Sequence, residues 1–140
     1  MRVGIIGGGF VGGALRFGFN GFCETKIYDI NPRIATHSLR ETVLESDFIF
    51  ICVPTPMNQT NDGEADDRII LQVLKNIDEI SVSPNSIVIV KSSVPPGYME
   101  KFVDIYPRLR LVFNPEFLTE KNAKHDFINA DRIVLGGNKK

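Results

Sequence analysis

A group of glycines near the N-terminus is the clearest indication of a ligand-binding site in this sequence. Gly7, Gly9 and Gly12 follow the apolar segment 2–6, and Asp29 lies 17 residues after Gly12. Glycines without a Cβ let the backbone approach a diphosphate, and the helix that follows offers unpaired N–H groups and the positive end of its dipole. A carboxylate at this distance accepts hydrogen bonds from a ribose diol and disfavours a 2′-phosphate. The spacing therefore predicts a dinucleotide site.

Polar segments follow three further stretches that we predict to be strands. They are residues 53–56, 92–97 and 114–120, and they carry hydroxyl and carboxylate groups. Ligands of an open parallel sheet bind outside the carboxyl ends of its strands, so these segments should surround one crevice. Glu116 and Glu120 would share a face if the last segment began a helix, because residues four apart are neighbours on a helix.

Strand-length apolar runs alternate with helical periodicities along the chain, which predicts an α/β fold with a doubly wound, mostly parallel sheet. The predicted strands are residues 2–6, 26–28, 48–53, 87–91, 109–113 and 132–135. The main helical stripe between them is formed by Ile70, Val73, Leu74, Ile77 and Ile80. Only 17 residues separate Asp29 from Asp47. We therefore expect an abbreviated region after the second strand, with residues 34–36 as the remnant of a further strand.

Bulk properties exclude several classes of function. The chain has 140 residues, 43% of them hydrophobic, and a formal net charge of −1. These values are typical of one globular domain without the basic field that binds nucleic acid or anionic lipid. No apolar run reaches the length of about 18 residues that a membrane span needs. Cys23 and Cys52 fall in different elements and predict reduced thiols, while His37 and His125 lack partners at metal-ligand spacing. We expect a cytoplasmic protein without a metal site.

The motifs resemble, in order and spacing, the N-terminal domain of the UDP-glucose/GDP-mannose dehydrogenase family. Four signatures carry the resemblance: the glycine turn, the VPTP turn at 53–56, the SSVPPG segment at 92–97, and the PEFL sequence at 115–118 with Glu120 two residues later. The DRIVLGG sequence at 131–137 is similar to the strand that closes this domain in the family. The resemblance extends from Met1 to about Gly137.

The resemblance implies a Rossmann-type domain that holds NAD, in enzymes that oxidise the primary alcohol of a nucleotide sugar twice, to the uronic acid. Ser93 would organise water and oxyanion hydrogen bonds, Glu116 would assist hydrolysis of the acyl-enzyme, and Glu120 would contact cofactor or substrate. Arg33 resembles the basic residue that follows the ribose acid. The expected cofactor contacts are Gly7, Gly9, Phe10, Val11, Gly12, Asp29, Arg33, Val53, Pro54, Thr55, Pro56, Ser92, Ser93 and Glu120.

The catalytic Cys of the family and the Lys, Asn and Asp that support it come from chain that follows this domain. Neither Cys23 nor Cys52 matches the motif of that nucleophile. We therefore expect residues 1–140 to form a dinucleotide-binding domain without the substrate domain and without turnover alone. The expected partners are a nicotinamide dinucleotide and either a C-terminal catalytic, UDP-binding half or further copies of the chain.

Several alternatives remain open from the sequence. The chain could be a non-catalytic or degenerate module that binds a nucleotide or a partner chain, or another dehydrogenase that shares only the fold. Asp29 could be a turn former at a strand end, and Glu116 with Glu120 could be an exposed first-turn pair. The hydroxyls of Ser92 and Ser93 could satisfy backbone groups at the end of a strand.

Overall fold

A computed structural model describes residues 1–56 and 65–137, which form five strands and five helices. In chain order they are β1 (Arg2–Ile6), α1 (Phe10–Phe19), β2 (Glu24–Tyr28), α2 (Leu39–Leu44), β3 (Phe48–Ile51), α3 (Arg68–Ile80), β4 (Ile87–Val90), α4 (Tyr98–Ile105), β5 (Leu111–Phe113) and α5 (Ala123–Ile128). A short 3-10 turn, Glu120–Asn122, precedes α5.

The five strands form one parallel sheet in the order β2-β1-β3-β4-β5. The chain runs outward from β1 to β2 and then returns past β1 to β3. The order therefore reverses between β1 and β3, and this point is where an open α/β sheet leaves a crevice at its carboxyl edge. The predicted doubly wound sheet is confirmed, and the turn after β1 lies at the crevice.

Alternation along the strands separates two apolar layers. Ile5, Phe50 and Ile89 lie on the face that packs against Leu15 of α1, together with residues of α5. The neighbouring strand residues, such as Ile49 and Val88, face the layer beneath α2, α3 and α4. Helices thus cover both faces of the sheet, although α1 and α5 reach over only part of theirs.

The longest helix follows the predicted periodicity. Ile70, Leu74 and Ile77 of α3 are completely buried against the sheet, as their spacing predicts. Asp67 occupies the N-cap position, while the Asp66 carboxylate accepts a hydrogen bond from the Arg68 N–H at 3.1 Å. Within residues 1–56 and 65–137, no helix is long and apolar enough to cross a bilayer.

Two expected strands do not form. Residues 132–135 make no ladder, and only Gly136 bridges antiparallel to Phe113. The apolar side chains of this segment, Ile133 among them, are exposed because none of the described elements covers them. Residues 34–36 also form no strand. The Thr36 hydroxyl accepts the Ile27 N–H at 2.9 Å and the Thr36 N–H donates to the Ile27 carbonyl at 2.9 Å, so Thr36 is tied to the edge of β2 at one residue without a ladder.

Truncation of one buried and one exposed aromatic side chain tests the assignment of Phe102 to the core. Phe102 of α4 is completely buried, so Phe102→Ala should lower the free energy of unfolding by about 3–5 kcal/mol through lost burial and a residual cavity. Phe22 is 84% exposed, and Phe22→Ala should change the same quantity by less than about 0.5 kcal/mol. Urea unfolding measures both. Equal losses would contradict the assignment of Phe102 to the core.

Candidate cofactor site

The turn from β1 to α1 requires glycine at two positions. Gly7 has φ of +94°, and a Cβ there would lie 2.6 Å from the carbonyl oxygen of Cys52. A Cβ on Gly12 would overlap the carbonyl oxygen of Gly7. The close approach of β1 to the end of β3, and of α1 to the turn itself, depends on these missing side chains.

Gly9 has a different environment from its neighbours. It is the N-cap of α1, and apart from Gly9 itself and its two chain neighbours no described residue has an atom within 4 Å of the position that its Cβ would take. No side chain of the described residues caps this end of the helix. The first N–H groups of a helix have no partner within the helix, so the N–H groups at this end remain available to an anion. The space and the donors fit a diphosphate.

Asp29 follows the end of β2 and lies beside the glycine turn. Its Oδ2 accepts the Gly8 N–H at 2.7 Å, and its Oδ1 accepts the Asn31 N–H at 2.8 Å. Each carboxylate oxygen can accept a second hydrogen bond. Asp29 therefore acts as a turn former, as one alternative held, and keeps acceptor capacity for the two hydroxyls of a ribose.

The segments after β3 and β4 are tied together by hydrogen bonds. The Thr55 hydroxyl donates to the Ser93 carbonyl at 2.7 Å, and the buried Ser92 hydroxyl donates to the Val53 carbonyl at 2.7 Å. The Ser92 hydroxyl thus satisfies a backbone carbonyl at the end of a strand, which was the alternative to cofactor contact for Ser92 and Ser93. The Ser93 side chain is exposed at the same edge. Pro54 and Pro56, also exposed, complete this wall of the crevice.

Glu116 lies in an unexpected ion pair. Its Oε2 is 2.6 Å from Nζ of Lys91, and the exposed fractions of the two side chains are 12% and 4%. Lys91 Nζ also donates to Asn114 Oδ1 at 3.1 Å. The Lys91 ammonium is thus the ion-pair partner of the buried Oε2, which has no aligned hydrogen-bond donor among the described residues.

The expectation that Glu116 and Glu120 share a helix face is wrong. Residues 114–119 are not helical, and the 3-10 turn begins only at Glu120. The Glu116 side chain accepts the N–H of Phe117 at 2.8 Å, and such a local bond competes with helix formation. Glu116 therefore points into the protein beside Lys91, while Glu120 is exposed.

Glu120 instead lies opposite the start of α1. A cavity of about 510 Å³ is bounded on one side by Gly9, Phe10 and Gly13 and on the other by residues 120–125. Of the expected contacts, the structure thus brings Gly9, Phe10 and Glu120 to the same cavity. Val11 instead packs against the apolar layer beneath α1.

A larger cavity of about 870 Å³ lies on the α1 face of the sheet. Its lining is mainly apolar and includes Phe48, Phe50 and Ile89 of the strands, and it ends at the Lys91–Glu116 pair. Arg33 is exposed on the turn after Asp29, and its backbone N–H donates to Asn31 Oδ1. In the ranges that the structure describes, no cluster of His, Cys, Asp or Glu could hold a metal ion.

Sequence reasoning missed Lys91 and Asn114 as site residues. Lys91 follows four β-branched residues of a buried strand, and a charged residue directly after such a run is the signal that could have identified it. Its carboxylate partner was visible in the sequence, but the pairing between the ends of β4 and β5 was not.

The sequence model of the UDP-glucose/GDP-mannose dehydrogenase family, NAD binding domain, matches residues 30–140. The chain belongs to this family. NAD is therefore the cofactor of the domain, and the fold is of Rossmann type. The matched range begins just after Asp29 and does not include the glycine turn. The comparison with solved structures below does include it.

Two curated relatives are similar to most of the chain. An uncharacterised protein of Methanocaldococcus jannaschii is 30% identical over 97% of this chain and 18% of its own length. The UDP-glucose 6-dehydrogenase of Campylobacter jejuni is 34% identical over 79% of this chain and 27% of its own length. The chain therefore spans less than a third of either curated relative.

Solved structures of family members superimpose on nearly the whole chain, including the glycine turn. A UDP-glucose dehydrogenase from Pyrobaculum islandicum covers 99% of this chain with a TM-score of 0.81 and 26% identity, and 41% of that structure is matched. A GDP-mannose dehydrogenase from Pseudomonas aeruginosa has a TM-score of 0.82 at 24% identity over 99% of this chain and 41% of its own. The second likeness shows the fold alone.

The environment of Cys52 predicts an unreactive thiol. Burial raises the pKa of the Cys52 thiol to about 12, with the Lys91 ammonium lowering it slightly. At pH 9.0, which equals the ordinary pKa of a cysteine thiol, only about one thousandth of Cys52 is then in the thiolate form, the form that reacts. Iodoacetamide at that pH should leave Cys52 unmodified in the native chain and modify it in guanidinium chloride, as peptide mapping would show. Equal labelling in both states would contradict burial of the thiol.

Proposed function

We propose that the domain holds the diphosphate of NAD at the start of α1, the adenosine ribose at Asp29 and the nicotinamide half against residues 53–56 and 92–93. The observation that carries this placement is the open, uncapped backbone at Gly9, a short distance from a carboxylate with free acceptor capacity. When bound, NAD supplies the acceptor for a hydride. The protein contributes binding and orientation.

The roles of the other expected residues follow from their positions in the structure. The Ser93 hydroxyl is exposed at the carboxyl edge and is available to orient water or a substrate oxygen. Glu116 is held in an ion pair with Lys91 at the carboxyl edge, where its charge would act on the reacting groups. Glu120 lies where it can contact the cofactor across the smaller cavity. Arg33 is proposed only as an exposed contact beside the ribose.

Substitution of single glycines tests the placement of the diphosphate. Gly9→Ala adds a methyl group to open space, so stability should be retained within about 0.5 kcal/mol. The methyl group would fill the diphosphate position, and the affinity for NAD should fall at least about tenfold, or 1.4 kcal/mol. Gly7→Ala should instead destabilise the fold by about 1–3 kcal/mol, because φ is +94° there.

Titration calorimetry with NAD and thermal unfolding of both variants separate the two effects. Retention of wild-type affinity by a folded Gly9→Ala variant would overturn the placement. A wild-type chain that does not bind NAD would favour the alternative of a degenerate module.

We further propose that the domain oxidises a nucleotide sugar only together with a Cys-bearing catalytic part. Two observations support this proposal: the chain spans 27% of the matched UDP-glucose 6-dehydrogenase, and neither of its own cysteines is presented at the crevice as a nucleophile. Cys52 lies beneath α1 with a raised pKa. Cys23 lies before β2, away from the carboxyl edge.

A fusion experiment tests the need for the second part. The chain alone, saturated with NAD, should form no NADH from UDP-glucose. A fusion of this chain to the C-terminal part of the Campylobacter jejuni UDP-glucose 6-dehydrogenase should form NADH, since the family resemblance implies that the thiolate nucleophile lies in that part. The matched control carries Ala at the nucleophile of the fused part. NADH formation by the chain alone, or no formation by a fusion that binds both ligands, would contradict the proposal.

A further inference from the structure

One wall of the smaller cavity consists of residues 120–125, and only Glu120 among them is an expected cofactor contact. Residues 120–125 face Gly9, Phe10 and Gly13 of α1 across about 510 Å³. These residues include Lys121, Lys124 and His125, and Glu120 is the acid among them. A predominantly basic segment therefore lies opposite the positive end of a ten-residue helix.

This arrangement places like charge against like charge. The helix terminus and the lysine side chains repel one another unless an anion lies between them. The proposed position of the cofactor supplies such an anion, because its diphosphate would lie at Gly9. The cavity thus has cationic or donor groups on both of its walls.

The two lysines of the cavity differ in their contacts. Nζ of Lys124 lies 5.3 Å from the centroid of the Phe17 ring. Phe17 is seven residues beyond Phe10, about 10 Å further along the helix axis, so this cation–π contact holds Lys124 away from the glycine turn. Within the described residues, Lys121 has no carboxylate within 4 Å of its Nζ. Among the basic residues of this wall, Lys121 is therefore the one without an ion-pair or cation–π partner in the described part of the chain.

We propose that Lys121 binds the diphosphate of NAD from the side opposite α1, and that it offsets the repulsion between Glu120 and the same diphosphate. The inference rests on the proposed placement of the diphosphate at Gly9. Backbone N–H groups then contact one side of the anion and an ammonium group contacts the other. Lys121 acts on binding alone and takes no part in hydride transfer.

Matched charge removal tests the inference on the chain as it exists. Lys121→Gln should weaken NAD binding about threefold, as expected for a partly exposed ion pair. Lys121→Arg should retain most of the affinity. The control is Lys75→Gln, which removes the same charge from the exposed face of α3, where Lys75 pairs with Glu79 at 3.8 Å. Titration calorimetry and the shift of Tm produced by NAD provide two readouts that need no turnover.

Salt provides the second arm of the test. The difference between wild type and Lys121→Gln should disappear near 1 M salt, where the screening length falls to about 3 Å. If wild type binds NAD and Lys121→Gln binds it as tightly as Lys75→Gln does at low salt, the inference is overturned while the proposed function stands. If wild type binds no NAD, the placement of the diphosphate fails first.

Discussion

The contact between the backbone of Gly7 and the carbonyl of Cys52 is the constraint on which the site depends. It exists only because Gly7 has no side chain and adopts a positive φ. The contact brings the end of β1 against the end of β3, where the order of strands reverses. The missing Cβ of Gly12 then lets α1 begin directly beside the turn. The uncapped end of a helix is thereby fixed at the crevice of the sheet.

Electrostatics at this crevice has two parts of opposite sign. The start of α1 is positive and open at Gly9, whereas the adjacent carboxylate of Asp29 is negative and is held by the Gly8 and Asn31 N–H groups. A ligand that carries an anion next to a diol satisfies both parts at once. The same carboxylate repels a phosphate on that diol, which accords with NAD as the cofactor of this family.

The interior of the carboxyl edge contains a charged pair whose burial is costly. Lys91 and Glu116 lose most of their hydration, and Asn114 compensates the ammonium group only in part. The pair lies at the polar end of a mainly apolar cavity over β3 and β4. Neither α1 nor α5 nor any other element of residues 1–56 and 65–137 covers that part of the sheet fully, and Phe117 and Ile133 are exposed near it. Charge and apolar surface thus meet at one end of the sheet.

The sequence alone determined the doubly wound sheet, the stripe of α3 and the position of the glycine turn with Asp29, because alternation, helical period and the absence of Cβ are local properties. The tertiary structure decided the rest. Residues 132–135 have the composition of a strand but do not pair in a ladder. Glu116 does not lie on a helix with Glu120 and instead forms an ion pair with Lys91. Such outcomes depend on which strand ends become neighbours, and contacts between residues distant along the chain leave no periodic signal in the sequence.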